Sequence, residues 1–511
     1  MKTQYVIAHD LGTSSDKAIL LSTKGDIIQS TEARYAYQSP NPGWVEQNPQ
    51  DYWQAVVNTT HKLMRSSGVA PTDIIGIVYT TQAMGVIPID KNGSLLYPNI
   101  TWVDGRAEDQ AIAIMKRFGG RKAFKALVGI ELTGKDVIPK LLWLKEKCTE
   151  IYNKTALFLD VNGYLKFRST NKAVSEWSGA CSYAFNLKKK DWERVFFKIS
   201  GIDLNKLPPL VKSTDKVGGL TDEAARELGL LSGTAVYGGC DDTQSAAIGS
   251  GAGGEGEAHI YLGTSAWAGV TTEKVYKFKN GAVCLQSADP QKNLVVGITE
   301  SAGNNLEWFI EQFYKEEKSR LTTEEIYHLI EGDIKKTSAG SDHLIFTPWL
   351  LGERCPVGTT TTRGTLFNVG LEHTRGHFIR ALGEGIGYNL RWIIDNMEKD
   401  FKFNISSLRI TGGGSQSDVW MQGIADITGH TIETTSQPKT AGALGASMCA
   451  LVGSGCFNSF ADIKKLIKTA KRFEPQKENK ALYDELFQLY KRLYFALRSS
   501  YKKANRERFK R

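Results

Sequence analysis

Nowhere does this chain of 511 residues approach the ~18 uninterrupted apolar residues that a membrane-spanning helix requires, so a membrane partner is not expected. Paired cysteines are missing as well. The seven present, Cys148, Cys181, Cys240, Cys284, Cys355, Cys449 and Cys456, are odd in number, scattered and without a C-x-x-C pair. That excludes a disulfide framework and leaves no visible zinc site; the thiols read as reduced and mostly buried. Residues 1–10 carry a charged strand where a secretory signal needs an apolar core, and the expected location is the cytoplasm. Charge of one sign is scarce: 64 Lys and Arg against 55 Asp and Glu leave +9. Part of that excess is the C-terminal run Lys502, Lys503, Arg506, Arg508, Lys510 and Arg511, which reads as the solvated end of a helix. No basic stripe with interleaved aromatics accompanies it, so nucleic acid is not an expected partner. What remains, 41% hydrophobic and 23% charged, is an ordinary globular composition on a chain too long for one core. Two domains are the simplest division.

One short pattern, an apolar strand running into Gly-Thr-Ser, occurs twice. It stands as Val6-Ile7-Ala8-His9-Asp10-Leu11-Gly12-Thr13-Ser14 near the start and as Ile260-Tyr261-Leu262-Gly263-Thr264-Ser265 near the middle. Gly12 and Gly263 allow a tight turn and close approach to an anion, while the threonine and serine hydroxyls and the turn amides donate to phosphate oxygens. A single copy is equally what a polar turn looks like. Two copies, one per half, predict a nucleotide held in a cleft between two related domains.

Strand and helix periods alternate along the chain. Residues 5–8, 17–22 and 27 onward read as a meander with Asp10 and Gly12 at the tip of its first hairpin. Helices are expected over 51–64, 107–118 and 139–148, and a buried β-branched strand over 74–80. Residues 249–256 form the most glycine-dense stretch, and the domain boundary is placed there, giving 1–250 and 251–511. The strand-Gly-Thr-Ser pattern restarts just after it, as a duplicated architecture requires. The second half continues with helices near 305–318, 377–397 and 482–502 and a strand over 408–411. Alternating sheet and helix in both halves make the fold class α/β.

Several residues are candidates for chemistry. Asp10, at the end of the first strand beside the turn, suits a Mg²⁺ ion held partly through water; an Asx cap of the hairpin is the other reading. Asp241 and Asp242 follow Gly238-Gly239 and open a helix, where aspartate is a common N-cap. A carboxylate so placed also suits taking a proton from an alcohol that faces a γ-phosphoryl group. Gly412-Gly413-Gly414-Ser415 after a β-branched strand permits a flat ligand or phosphate to come close, or is a plain tight turn. Trp102-Val103-Asp104-Gly105-Arg106 offers a planar face, an acceptor and a fork donor fit for a polyhydroxylated sugar, or a helix start with two surface charges.

Taken in order, these residues resemble the FGGY family of carbohydrate kinases, within the actin/hexokinase/Hsp70 superfamily, and most closely its xylulose kinase branch. Asp10, Gly12, Thr13 and Ser14 with Lys17 are similar to the first phosphate motif; Gly43-Trp44-Val45-Glu46-Gln47-Asn48-Pro49 with Trp53 is similar to the GWVEQ-P segment. Trp102, Asp104 and Arg106 resemble the sugar-binding W-x-D-x-R, and Pro139 to Leu144 the core of the first family signature. Counting back from Gly249, the base motif falls on Asp242, with Asp241 at a position that is often glycine. Gly263-Thr264-Ser265 matches the second phosphate loop, Gly412 to Ser415 with Trp420 the adenosine loop, and Ala441 to Ala446 the alanine-rich helix beside the nucleotide.

The resemblance implies two ribonuclease H-like domains around a cleft, ATP and Mg²⁺ as cofactors, and a small-molecule sugar as partner, with a homodimer left open. It implies phosphorylation of D-xylulose to D-xylulose 5-phosphate, with another ketose or polyol such as ribulose or glycerol as the alternative. A silent nucleotide and sugar sensor of the same fold is a further alternative, which the presence of Asp10, Asp242 and both turns argues against. Two departures touch the sugar. Where well-known xylulose kinases carry Gln-Met-His-Gly this chain has Gln82-Ala83-Met84-Gly85, and the residue after the base, often asparagine, is Thr243. Both remove polar groups from the expected sugar pocket.

Overall fold

Two hairpins, one in each half, seed two sheets of matching order. The computed structural model describes residues 3–357, 359 and 361–505; Arg506, Arg508, Lys510 and Arg511 of the basic run lie outside the described residues. In the first half β1 (Tyr5–Leu11), β2 (Ser15–Ser22) and β3 (Ile27–Arg34) form the meander, and β4 (Ile74–Thr81) runs parallel to β1. With β5 (Lys216–Gly219), β6 (Ala235–Tyr237) and β7 (Cys240–Asp241), the sheet order is β5-β6-β4-β1-β2-β3, and β7 also pairs with β4. The second half repeats it with β8 (Ala258–Leu262), β9 (Ala266–Thr272), β10 (Val283–Gln286), β11 (Asn293–Thr299), β12 (Ser407–Thr411), β13 (Thr431–Thr435) and β14 (Thr469–Phe473). Its order is β10-β11-β9-β8-β12-β13-β14. Three antiparallel strands followed by two parallel ones, β3-β2-β1-β4-β6 and β11-β9-β8-β12-β13, constitute the ribonuclease H-like arrangement in each half.

Strand β1 runs three residues beyond the expected end, so Asp10 lies inside the ladder opposite Lys17, and Gly12 to Ser14 alone form the turn. Side chains alternate across a strand. Ile7, Leu11, Ala18 and Leu20 therefore pack on one face against Tyr52, Trp53, Val56 and Leu63 of helix α1 (Pro49–Ser67). That helix starts on an Asn48 cap with Pro49 in its first turn and stops at Gly68 in the left-handed conformation. Val6, Ala8, Ile19 and Leu21 face the other way, and Asp10 shares that side by the same period.

The helix covering that other face comes from the second half. It is the last but one of the helices labelled here: α2 (Asp242–Gly249), α3 (Arg375–Phe401), α4 (Asp418–Thr428), α5 (Ala441–Gly453) and α6 (Lys480–Ala504). Ala443, Ala446, Ala450 and Leu451 of α5 pack on the first sheet, while Ala246 and Ala247 of α2 pack with Trp267, Leu294 and Val296 of the second. Each half thus lends a helix to the other. Where the two cross, a Cβ on Gly445 would stand 1.9 Å from the Ser245 carbonyl oxygen, and one on Gly249 1.9 Å from that of Ala441. Only glycine allows backbones this close. The long helix α3 organises the second core, with Ile379, Leu382, Ile386 and Ile393 against Ile260, Leu262 and Ile410. The helix expected over 305–318 is two, Gly303–Phe313 and Lys315–Lys318, because the chain bends at Tyr314 to bury its ring.

Candidate active site

Three adjacent parallel strands end together. Leu11 lies beside Thr81, and Thr81 beside Asp241, so Gly12, Gln82 and Asp242 are each the next residue past neighbouring strand ends. The Gln82 amide donates to the Leu11 carbonyl at 2.8 Å. This carboxyl edge is where open α/β sheets bind ligands.

Asp242 opens α2, but the capping position is Asp241, whose side chain makes no capping bond. Asp242 instead stands in the first turn, at the positive end of the helix. Burial pushes its carboxyl up to about 6, partly opposed by the Thr243 hydroxyl, which donates to Asp242 Oδ1 at 3.1 Å, and by the Thr243 amide. Asp10 is raised further, to about 7, first by burial and then by Asp242 and Asp16, with Lys17 pulling it back. A Cβ on Gly442 would lie 2.2 Å from Asp10 Oδ2, so the start of α5 closes over this carboxylate. Asp241 is buried with Oδ1 unpartnered, and burial, Asp160, Asp242 and Glu176 hold its carboxyl well above the usual range.

Both Gly-Thr-Ser segments form turns, closed by Gly12 N–H to the Ser15 carbonyl at 3.0 Å and Gly263 N–H to that of Ser265 at 3.0 Å. The first turn leans on side chains: Tyr35 donates to the Gly12 carbonyl at 2.5 Å and Gln47 to that of Thr13 at 2.7 Å. The second leans on main chain, with Gly303 N–H on the Gly263 carbonyl at 2.9 Å and those of Ala302 and Asn304 on Thr264 at 3.0 and 3.1 Å. Gly412 has φ 93°, and a Cβ there would meet the Leu262 carbonyl oxygen at 2.4 Å, which seats Gly412 to Ser415 directly beside the second turn. Ser415 fixes that loop by donating to the Gly412 carbonyl at 2.8 Å.

Tyr261 was missed at the sequence level. It occupies the place in the second repeat that Asp10 holds in the first, and that alignment is the signal that would have found it. Its ring stacks on Trp267 at 4.2 Å, and burial, then Asp10 and Asp242, push its phenol up. The second half therefore presents an aromatic group where the first presents its acid, and both sit on the faces that meet.

The expected sugar residues divide. Gln82 is buried on a polar chain from the first turn. Met84 has the left-handed φ of 62°, is partly buried against an apolar cluster of the first half, and its carbonyl accepts from the buried Lys140 Nζ at 3.3 Å. Burial lowers that ammonium to about 7 although Asp104 and Asp136 oppose it. Trp102 donates its indole N–H to Thr13 Oγ1 at 3.0 Å. Asp104 and Arg106 are engaged within the protein. Asp104 Oδ2 takes the Val45 amide at 2.6 Å and Arg106 Nη2 at 2.6 Å; Oδ1 takes the Arg106 amide and Nε. Arg106 Nη1 reaches Glu46 at 2.8 Å, and the guanidinium lies 3.8 Å over the Trp44 ring with a side chain 0% exposed. The pair braces the two segments that carry Trp44 and Trp102, because a buried charge is tolerated only when paired in this way. Thr243 likewise spends its hydroxyl on Asp242.

An α/β chain whose halves repeat one sheet order and lend each other a helix has the fold of the sugar kinases of the actin and hexokinase type. The family model described as the FGGY family of carbohydrate kinases, N-terminal domain, matches residues 5–249, and that for the C-terminal domain matches residues 258–454. The chain belongs to the FGGY family of carbohydrate kinases, phosphotransferases that use ATP. It is 33% identical to a xylulose kinase of Bacillus subtilis (strain 168) over 498 residues, 96% of this chain and 97% of that protein. The solved ligand-bound xylulose kinase of Lactobacillus acidophilus is similar with a TM-score of 0.88 at 26% identity, over 98% of this chain and 99% of that one. The gluconate kinase of the same organism gives 0.87 at 26% identity, over 98% and 100%. Among the described residues no helix is long and apolar enough to cross a membrane.

Proposed function

We propose that this kinase transfers the γ-phosphoryl group of ATP to the terminal hydroxyl of D-xylulose, giving D-xylulose 5-phosphate. The observation that carries the reading is the buried Asp242 carboxylate, raised to about 6, on the edge that also bears the first phosphate turn and Gln82. A carboxylate with that affinity takes a proton from the attacking hydroxyl more readily than an ordinary aspartate, and it is ionised near neutral pH. The turns Gly12-Thr13-Ser14 with Lys17 and Gly263-Thr264-Ser265 hold the phosphates, and Gly412, Gly413, Gly414 and Ser415 pass along the adenosine. Positioning and charge stabilisation supply most of the acceleration in such a transfer.

Asp10 fits Mg²⁺. Burial, with Asp242 and Asp16, holds this single carboxylate near 7 although Lys17 opposes them, and among the described residues no cluster of three or more His, Cys, Asp or Glu forms a protein-only metal cage. That donor set suits an ion shared with waters and substrate phosphates, where it neutralises charge on the phosphoryl oxygens. Asp242, Gln82, Trp102, Thr243 and Met84 face or shape the sugar side, with Asp104 and Arg106 bracing it from behind.

D-xylulose is the first choice because relatives and structures similar over nearly the full length are xylulose kinases. Met84 favours a second acceptor class, since a pocket that has lost an imidazole suits another ketose, a polyol or a sugar acid; a gluconate kinase is structurally as similar. Division at 250/251 and a cytoplasmic setting complete the reading, with a homodimer left open. Sugar-dependent ADP release from MgATP across D-xylulose, D-ribulose, glycerol and D-gluconate tests it. D-xylulose should give the highest kcat/KM, and another sugar ahead of it by tenfold would replace it. Silence across the panel would overturn the enzyme itself.

A further inference from the structure

A chain of buried side chains joins the first Gly-Thr-Ser turn to Gln82. Gln47 follows the Trp44 loop just before α1 and is 1% exposed. Its Nε2 donates to two main-chain carbonyls, Thr13 at 2.7 Å and Ala36 at 3.4 Å. Carbonyls only accept, so the nitrogen must lie on that side and Oε1 on the other. Oε1 accepts from Tyr52 Oη at 2.7 Å and from Gln82 Nε2 at 2.8 Å. The far end is fixed equally firmly: the Val86 amide donates to Asn99 Oδ1 at 2.9 Å, so Asn99 Nδ2 donates to Tyr52 Oη at 2.8 Å. Three backbone groups, the carbonyls of Thr13 and Ala36 and the amide of Val86, therefore set the direction of every bond between them. Gln82 can present only its nitrogen to this chain, which leaves Gln82 Oε1, buried and unpartnered, as an acceptor. A buried acceptor without a donor costs about 1–3 kcal/mol and is filled when a ligand supplies one.

We propose that Gln47 is a positioning residue for sugar recognition: it fixes the Gln82 amide so that Oε1 accepts from a hydroxyl of the sugar, and it ties that setting to the conformation of the first phosphate turn. The inference rests on the sugar kinase reading and adds to it the group that orients the sugar-facing amide. If Gln47 loses its amide, Gln82 keeps only the long 3.3 Å bond from Nε2 to Tyr52 Oη. That hydroxyl, its own acceptor gone, can donate as well as accept, so the direction of the Gln82 amide is no longer fixed. The Thr13 carbonyl then also loses its restraint, so sugar and nucleotide sense one another less.

The test is a double-mutant cycle of Gln47→Met and Gln82→Leu on the full-length protein, read as D-xylulose affinity by calorimetry with and without MgADP. Each single variant should weaken sugar binding about tenfold, the scale of one lost buried hydrogen bond. Without MgADP the double variant should be no weaker than Gln82→Leu alone, because in the sugar complex Gln47 acts on the sugar through Gln82, and its hold on Thr13 is read only in the difference that MgADP makes. Nucleotide affinity measured without sugar should move less than threefold. Multiplying effects in the double variant, or full sugar affinity in Gln47→Met, overturns the proposal. Should Gln47→Met fail to fold, Gln47→Glu keeps the volume and replaces the donor on Thr13 by an acceptor, and the same non-additivity is required of it. A wild type that binds no D-xylulose overturns the substrate choice instead, and the cycle run with the sugar that does turn over decides the role of Gln47.

Discussion

The two phosphate turns share a sequence, Gly-Thr-Ser, and a shape, yet they are held from behind by different means. At the first, side chains do the work: Tyr35 on Gly12 and Gln47 on Thr13. At the second, the carbonyls of Gly263 and Thr264 receive main-chain amides of Ala302, Gly303 and Asn304. In both, the glycine amide closes the turn and the carbonyls are tied to the protein, an arrangement in which the amides that follow the glycine can serve an anion. A turn held by amides tolerates side-chain change, whereas one held by side chains passes information to whatever else those side chains touch. The first turn is linked through Gln47 to Gln82; the second lies beside Gly412 to Ser415. The acid also differs, since Asp10 stands where the second repeat has Tyr261.

The largest effect expected is at Asp242, the proposed general base, beside the first turn. Asp242→Ala should cut kcat by roughly 10²–10⁴, the loss of a general base, while leaving nucleotide affinity within about threefold by calorimetry. Retained turnover would end its role. The acid limb of kcat/KM in the wild type should fall with apparent values near 6 and 7, the values to which Asp242 and Asp10 are raised. Because the two carboxylates interact, these values belong to the pair.

Asp10→Asn carries two opposite consequences. Turnover should drop, since the residue suited to Mg²⁺ loses its charge, and the ligand-free protein should become more stable at pH 8. Asp10 is raised from 3.8 to about 7 in the fold, so the folded state binds its proton more tightly than the unfolded one. Its contribution is favourable below the unfolded value and is lost as pH climbs toward 7, after which a buried carboxylate opposes folding. A gain of roughly 1–3 kcal/mol at pH 8 that shrinks toward pH 4, read from thermal melts, is the expected signature. A variant less stable at pH 8 would mean that Lys17 compensates the charge fully.

Gly303→Ala should break the symmetry of the turns in the opposite sense to Tyr35→Phe. A Cβ at 303 would stand 2.6 Å from the Gly263 carbonyl oxygen, and displacing that turn should raise KM for ATP about tenfold or more. Asn304→Ala keeps the amide and should change KM less than twofold. Tyr35→Phe removes one hydroxyl from the first turn and should cost threefold to tenfold, shared between sugar and nucleotide. Equal effects from Asn304→Ala and Tyr35→Phe would abolish the distinction between backbone and side-chain support.

The smallest effect concerns specificity. Met84→His should raise kcat/KM for D-xylulose relative to other ketoses by a few-fold. An unchanged ratio would place the side chain outside the sugar's reach, and the left-handed backbone at 84 makes a cost in stability part of the same measurement.

The sequence by itself determined the repeat. Apolar strands ending in Gly-Thr-Ser, a glycine pair before Asp241 and Asp242, and a triple glycine after a β-branched strand are local signals, set by backbone freedom and period, and each formed the element expected. It also determined which faces are buried: the period of two that hides Ile7 and Leu11 beneath α1 turns Asp10 the other way. Tertiary structure decided what covers Asp10. Helix α5 is over four hundred residues away in sequence, and nothing local marks Gly442 and Gly445 as the places where two halves exchange helices; only the Cβ positions in the assembled fold do. Tertiary structure also decided the fate of Asp104 and Arg106. Composition cannot separate a charge that waits for a sugar from one already paired, because pairing with Glu46 and stacking on Trp44 depend on a loop some sixty residues earlier. The same holds for Gln47, whose amide direction is fixed by the carbonyls of Thr13 and Ala36 and the amide of Val86, brought together from three separate segments.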